Sequence, residues 1–128
     1  MRTERFTIDY PRTKAEKAGW SRLYGLNAIY AGKHWSKRNE DKQFWHMMVG
    51  SAMNRARIPR KPFEKPVSIT MWWDDGLDID NHAYMGKMIV DSLRGWLLTD
   101  DRRRYVKSVR HCFHDKGYIL VEVTDDVR

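Results

Sequence analysis

Two acidic pairs stand at a spacing that suits a hard metal ion: Asp78-Ile79-Asp80-Asn81, and Asp100-Asp101 beginning twenty residues after Asp80. Mg²⁺ takes near-octahedral oxygen ligands and is usually held by one or two carboxylates, with water and substrate phosphate completing the shell. Lys87 lies seven residues after Asp80. On a helix that is about two turns, so Lys87 would share a face with Asp80, Tyr84 and Asp91. A cation there can hold a phosphate or stabilise charge as it develops on one. The surroundings sharpen the reading. Residues 71–101 contain seven Asp (74, 75, 78, 80, 91, 100 and 101) against only Lys87 and Arg94, a local net charge of −5 in a chain whose net charge is +7. A basic surface attracts a polyanion, and an acidic island within it can hold a metal for hydrolysis.

Simpler readings exist for each residue. An isolated Asp-x-Asp is most often a solvated turn, Asp74 and Asp75 read as turn residues, and Asp91 reads as a helix-surface or capping residue. An EF-hand is excluded, because counting from Asp78 the sixth position is Ala83 rather than Gly and the twelfth is Ile89 rather than Glu. A nucleotide-sugar site needs a larger doubly wound sheet. His111 and His114 would fall on opposite strand faces, which disfavours zinc. Trp20 and Trp35, in a basic stretch, could stack on an exposed base or pack beneath their own loop. Arg102-Arg103-Arg104 follows the second acidic pair directly, and with Lys33, Lys37 and Arg38 it forms the candidate set for contacts to nucleic-acid phosphate.

Composition bounds the rest. A chain of 128 residues, 41% hydrophobic and 32% charged, has the balance of one globular domain over 1–128. The basic excess points to nucleic acid or another anionic surface. A single cysteine, Cys112, excludes an intramolecular disulfide and a cysteine-rich zinc site, and fits a reducing cytoplasm. No apolar run approaches the ~20 residues of a membrane span, and the polar start lacks the core of a signal peptide.

The elements that must position the acids follow from periodicity. Residues 5–10 alternate as a strand with Phe6, Ile8 and Tyr10 inward, and 11–35 show no periodicity and read as a long loop. Ser36 is the expected N-cap of a helix to about Arg57, with Phe44, Trp45, Met48, Ala52, Met53 and Ala56 at core spacing. Met47-Met48 and most of the six Trp read as core. Val67–Trp73 is a strand with Val67, Ile69, Met71 and Trp73 on one face. A second helix covers about 82–95, with Met85, Met88, Ile89, Ser92 and Leu93 inward and Gly95 as terminator. Arg104–Phe113 and Tyr118–Thr124 are expected to form a hairpin around 115–117. The result is an α+β domain of order β-α-β-α-β-β, with helices packed on a small mixed sheet. If the segment after Trp73 is extended, Asp78 and Asp80 share a face and grip one ion.

The run Asp78-x-Asp80-Asn81, Lys87, Asp91-Ser92-Leu93 and Asp100-Asp101 resembles the signature region of RusA-type Holliday junction resolvases. Asn27-Ala-Ile-Tyr30 with His34-Trp-Ser36 is similar to that family's segment before its first long helix. Lys87 stands further beyond the second Asp than in the family's usual form, with Asp91 still four residues past it. The resemblance implies Asp78, Asp80 and Asp101 as metal-binding catalytic carboxylates, Asp100 as the alternative at the last position, and Lys87 as the catalytic lysine. It also implies Mg²⁺ (or Mn²⁺ in its place), hydrolysis of four-way DNA junctions in recombination and repair, a homodimer, and a bacterial or prophage source. The competing expectations are a non-catalytic nucleic-acid-binding domain that keeps the fold, or a nuclease acting on a broader range of branched DNA.

Overall fold

This computed structural model describes residues 1–126, and among them the chain forms four strands and four α-helices. The strands are β1 (Thr3–Asp9), β2 (Val67–Trp73), β3 (Val106–Phe113) and β4 (Tyr118–Thr124); the helices are α1 (Lys14–Tyr24), α2 (Leu26–Tyr30), α3 (Trp35–Arg55) and α4 (Ala83–Leu93). Sheet order is β1-β4-β2-β3, mixed, with β3 parallel to β2 and β4 antiparallel to both β1 and β2. One face carries Phe6, Ile8, Val67, Ile69, Met71, Trp73, Ile119, Val121 and Val123, all buried. The opposite face is polar, with Ser108 donating to Ser68 and Arg5 paired to Glu122 at 2.7 Å. That alternation leaves one solvated face on a two-layer α+β fold. Among the described residues no helix is long and apolar enough to cross a membrane.

The expected hairpin does not form. β3 and β4 flank β2 instead of pairing with each other, so β2 occupies the centre of that trio. Burial explains the choice: β2 is covered along nearly its whole length, whereas β3 exposes Lys107, Ser108, Val109 and Arg110, as an edge strand does. The short connection 114–117 steps over the end of β2. His114 N–H donates to the Trp73 carbonyl at 3.0 Å, and Gly117 N–H to the Asp74 carboxylate at 2.8 Å. Two strand spacings are ~10 Å, well within the reach of such a connection.

Residues 11–35 are likewise not a loop. Thr13 caps α1 by accepting from Glu16 N–H, and Trp20 and Tyr24, one turn apart, are buried. With so few apolar residues the periodicity is thin, but the two aromatics anchor the helix: Trp20 meets Tyr10 edge-on at 5.1 Å and Trp45 at 5.3 Å between ring centroids. Trp20 is therefore core, and Trp35 is not, at 67% exposure. The cap of α3 is His34, whose ring accepts from Ser36 N–H, and the helix begins two residues earlier than expected for a Ser36 cap. Its inward stripe is Trp45, Val49, Ala52 and Met53, while Phe44, Met47 and Ala56 face outward.

The helix α4 presents Met85, Met88, Ile89, Ser92 and Leu93 inward, as its spacing predicts. Gly86 lets it approach β3. A Cβ there would stand 2.6 Å from the His111 ring, which cannot swing away because Trp73 Nε1–H donates to its Nδ1 at 3.0 Å. Gly86→Ala is accordingly expected to destabilise the fold by about 1–2 kcal/mol net, the clash exceeding the gain in helix propensity. Chemical denaturation measures it, and a variant more stable than wild type would show that the helix–strand gap can open freely.

Candidate active site

Everything in the acidic island is hung on α4 and its two flanking turns. Ahead of the helix, Ile79–His82 form one turn of 3₁₀ helix rather than an extended segment. Asp78 and Asp80 therefore do not project together as alternate strand residues would. Both are exposed, and neither carboxylate has a hydrogen bond or ion pair with any described residue. In a chain of net charge +7 that is a notable vacancy of partners.

The turn is fixed from beneath. Asp75, expected to be a solvated turn residue, has a fully buried carboxylate that accepts from Tyr10 Oη–H at 2.7 Å, His82 Nε2–H at 2.8 Å and Leu77 N–H at 3.0 Å. His82 is buried too; its Nδ1 faces the Ile79 carbonyl at 3.0 Å, and its ring lies 4.5 Å from that of Trp73. An oxygen thus faces each ring nitrogen. Burial on its own would raise the Asp75 pKa, but the hydrogen bonds from His82 and Tyr10, the His82 charge and the Leu77 N–H outweigh it and hold the carboxyl below its usual range. Burial and the Asp75 hydrogen bond push the Tyr10 hydroxyl well up, against the lowering influence of the Asp74 N–H. The Asp75–His82 pair thus brackets the segment that displays Asp78 and Asp80.

Past the helix, Gly95 at φ 78° makes a tight reversal in which Gly95 N–H donates to the Leu98 carbonyl at 2.7 Å. Only glycine adopts that backbone without steric cost. Buried Leu97 and Leu98, and the Trp96 indole donating to the Ile58 carbonyl at 3.1 Å, anchor the reversal. It returns Asp100 and Asp101 toward the end of α4, where the two neighbours differ. Asp100 is engaged by Arg102 at 2.8 Å and Arg94 at 3.4 Å. Its pKa is lowered, first by the Asp101 N–H that it accepts at 2.8 Å, then by those cations. Asp101 has no cation partner among the described residues. Burial raises its pKa, and hydrogen bonding with Asp91 and Asp100 and the Asp91 charge raise it further.

Asp91 is the residue that sequence reasoning set aside. It is not a mere surface cap: its carboxylate, 17% exposed, stands 3.6 Å from Lys87 Nζ and faces Asp101. Its place four residues after Lys87 was the available signal. A groove of about 260 Å³ between α4 and β3 is lined by Lys87, Asp91, Asp101 and His111, with Ala83 and Gly86 among its other walls. Lys87 is itself 71% exposed, so its pair with Asp91 is weak and readily exchanged.

The acids are not drawn to a single point. Among the described residues no three His, Cys, Asp or Glu side chains converge as a ready metal cage. From Ala83 to Asp91 the helix rises about 12 Å. Asp78 and Asp80 thus enter at one end of its length, Asp91 and Asp101 at the other, with Lys87 between. The donor chemistry still fits Mg²⁺, which binds carboxylate oxygen, keeps several waters and needs only one or two protein carboxylates.

The expected phosphate contacts also divide. Lys33 is used inside the fold: it donates to the Leu23 carbonyl at 2.7 Å, pairs with Asp41 and is only 11% exposed. Tyr84 Oη–H donates to the same Asp41 at 2.7 Å, so this cluster ties the end of α1 and helix α4 to α3. Lys33 is therefore withdrawn from the nucleic-acid set. Lys37, paired loosely with Glu40 at 3.4 Å, remains on the surface, as do Arg38, Arg103 and Arg104; Arg102 is partly engaged by Asp100. No family model matches this chain, and no curated protein matches it.

Proposed function

We propose that this chain is a Mg²⁺-dependent endodeoxyribonuclease that hydrolyses phosphodiester bonds in four-way DNA junctions. One observation carries the reading. Two carboxylates without partners (Asp78, Asp80), an exposed lysine (Lys87) and a carboxyl with a raised pKa and no cation (Asp101) are strung along one helix of an otherwise basic chain. Asp78, Asp80 and Asp101 are the candidate ligands, an ion at either end of α4 taking one or two carboxylates and completing its shell with water, and Asp91 stands beside Asp101 as an additional carboxylate. Asp100, already neutralised by Arg94 and Arg102, is the weaker candidate. Bound Mg²⁺ would supply Lewis-acid polarisation of the phosphate and an activated water. Lys87 exchanges Asp91 for the scissile phosphate and balances its charge. Arg38, Lys37 and Arg102 to Arg104 draw in the DNA backbone. Two such sites related by a C₂ axis would match the two-fold related strands of a junction.

The test is cleavage of a labelled synthetic four-way junction beside linear duplex of the same sequence, in Mg²⁺ and in EDTA. Symmetric nicking of the junction in Mg²⁺, far faster than of duplex and absent in EDTA, is expected. Equal cutting of duplex would overturn the junction selectivity, and cutting of forks and flaps at the same rate would make the enzyme a broader branched-DNA nuclease. The separation of the carboxylates favours one rival, a non-catalytic DNA-binding domain of the same fold. Tight junction binding without any cleavage would establish it.

Lys87→Ala is expected to lower the rate at least tenfold, with stability changed by no more than about 0.5 kcal/mol, since the side chain is solvated. Single-turnover cleavage together with thermal unfolding separates the two effects, and wild-type turnover in the variant would remove Lys87 from the site.

A further inference from the structure

A second concavity, of about 680 Å³, opens between α2, α3 and α4 and adjoins the acidic groove at Lys87 and Asp91. One wall is a stripe of α3: Trp35, Arg38, Asn39 and Lys42, spaced i, i+3, i+4 and i+7 and so on one face. Leu26 and Ile29 close one end, and Tyr84, Lys87 and Met88 form the far wall. Trp35 is 67% exposed, beside a His34 ring whose Nδ1 is held 2.7 Å from Ser36 Oγ. Among the described residues Arg38 and Lys42 form no ion pair. The cleft's carboxylate, Asp91, already faces Lys87.

We propose that this cleft takes an unpaired DNA base, seated on the Trp35 indole with its flanking phosphates on Arg38 and Lys42. The proposal rests on the DNA-directed reading above and deepens it, by naming what the protein engages next to the bond to be cut. An indole offers a flat apolar surface to any base, and arginine and lysine beside it neutralise the backbone. The size is that of a small-ligand cleft. The surplus of free cations at its lip suits an anion-bearing aromatic better than an apolar protein segment. Asn39, with both donor and acceptor on its amide, faces the same space and can hydrogen-bond a base edge. Shared walls at Lys87 and Asp91 put the seated base next to the candidate catalytic groove. A base is free to enter only where pairing is broken, as at a branch point.

The test is a cycle of two changes measured in EDTA, where no cleavage interferes. Wild type, Trp35→Ala and Trp35→Phe are titrated against a four-way junction, intact or carrying an abasic residue at each position flanking the branch in turn. For wild type, one abasic position should weaken binding roughly five- to hundredfold, the range of a lost base–aromatic stack. For Trp35→Ala the same position should cost less than about twofold, because the contact is already gone. Trp35→Phe, which keeps a ring, should recover most of the discrimination, and Lys42→Ala should weaken binding to intact and abasic DNA alike. If wild type binds the junction tightly but no position couples to Trp35, the cleft does not hold a base, and the nuclease reading stands untouched. If wild type binds no DNA, both readings fall together.

Discussion

Asp80→Asn is expected to abolish junction cleavage while leaving junction binding intact. The amide is near-isosteric with the carboxylate, and Asp80 is exposed with no partner to lose, so stability should change by less than about 0.5 kcal/mol. What the amide cannot supply is the negative charge that recruits Mg²⁺. Removing one preorganised electrostatic contributor commonly costs on the order of 10²–10³ in rate; losing the ion itself should cost more. Binding should hold or tighten without metal, because repulsion between Asp80 and a phosphate ~4 Å away is worth on the order of 1 kcal/mol in water. Affinity should fall steeply with salt in wild type and variant alike, since the basic residues outside the island provide it. Gel-shift titrations at two salt concentrations without metal, beside cleavage in Mg²⁺, measure all of this. Wild-type cleavage would remove Asp80 from the metal site. A folded variant that no longer binds would assign Asp80 to DNA recognition instead.

Why some of this was legible from the sequence, and some was not, is itself physical. β2 and α4 announce themselves because burial on one face forces a clean period: Val67, Ile69, Met71 and Trp73 at every second residue, and Met85, Met88, Ile89, Ser92 and Leu93 at three- and four-residue steps. The acidic residues around α4 follow from those elements. Helix α1 was hidden because it is pinned by two aromatics rather than by a stripe. The β3–β4 hairpin was a reasonable local inference that tertiary pairing overrode: adjacency in sequence favours a hairpin, and only the greater apolar content of β2 decides that it lies between them. Asp91 and Asp75 depart from the local expectation for a shared reason. An Asp near a helix end or in a turn is usually solvated, and nothing local shows that Asp101 returns against the one or that Tyr10, from the first strand region, reaches the other. The choice between Asp100 and Asp101 likewise had no local signal. Arg94 and Arg102 make the distinction by claiming Asp100.

Asp75→Ala should be the most destabilising single change in the site region. Removing the carboxylate leaves His82 and the Tyr10 hydroxyl buried without their shared acceptor, and breaking a buried pair from one side typically costs 3–5 kcal/mol. For a chain of this size that is a fall in Tm on the order of 10–20 °C. Asp75→Asn keeps the volume and part of the hydrogen bonding, so it should cost less, about 1–3 kcal/mol. The two variants should also differ from wild type in acid. Because Asp75 titrates below its unfolded value, near 3.9, its contribution is fully present above that pH and is lost as pH falls toward the folded pKa. Wild-type Tm should therefore drop through the window below about pH 4, and Asp75→Asn, with no carboxyl there to protonate, should lose less across the same window. Scanning calorimetry of the three proteins between neutral and acid pH measures both effects. Parallel curves would mean that the Asp75 carboxylate brings no net stabilisation and that other carboxylates govern the acid limb. The consequence reaches the chemistry as well, because the Asp75–His82 pair brackets Asp78 and Asp80. At a temperature where Asp75→Asn is still folded, its cleavage rate should fall more than its affinity for the junction, as expected for a residue that positions the carboxylates without touching DNA.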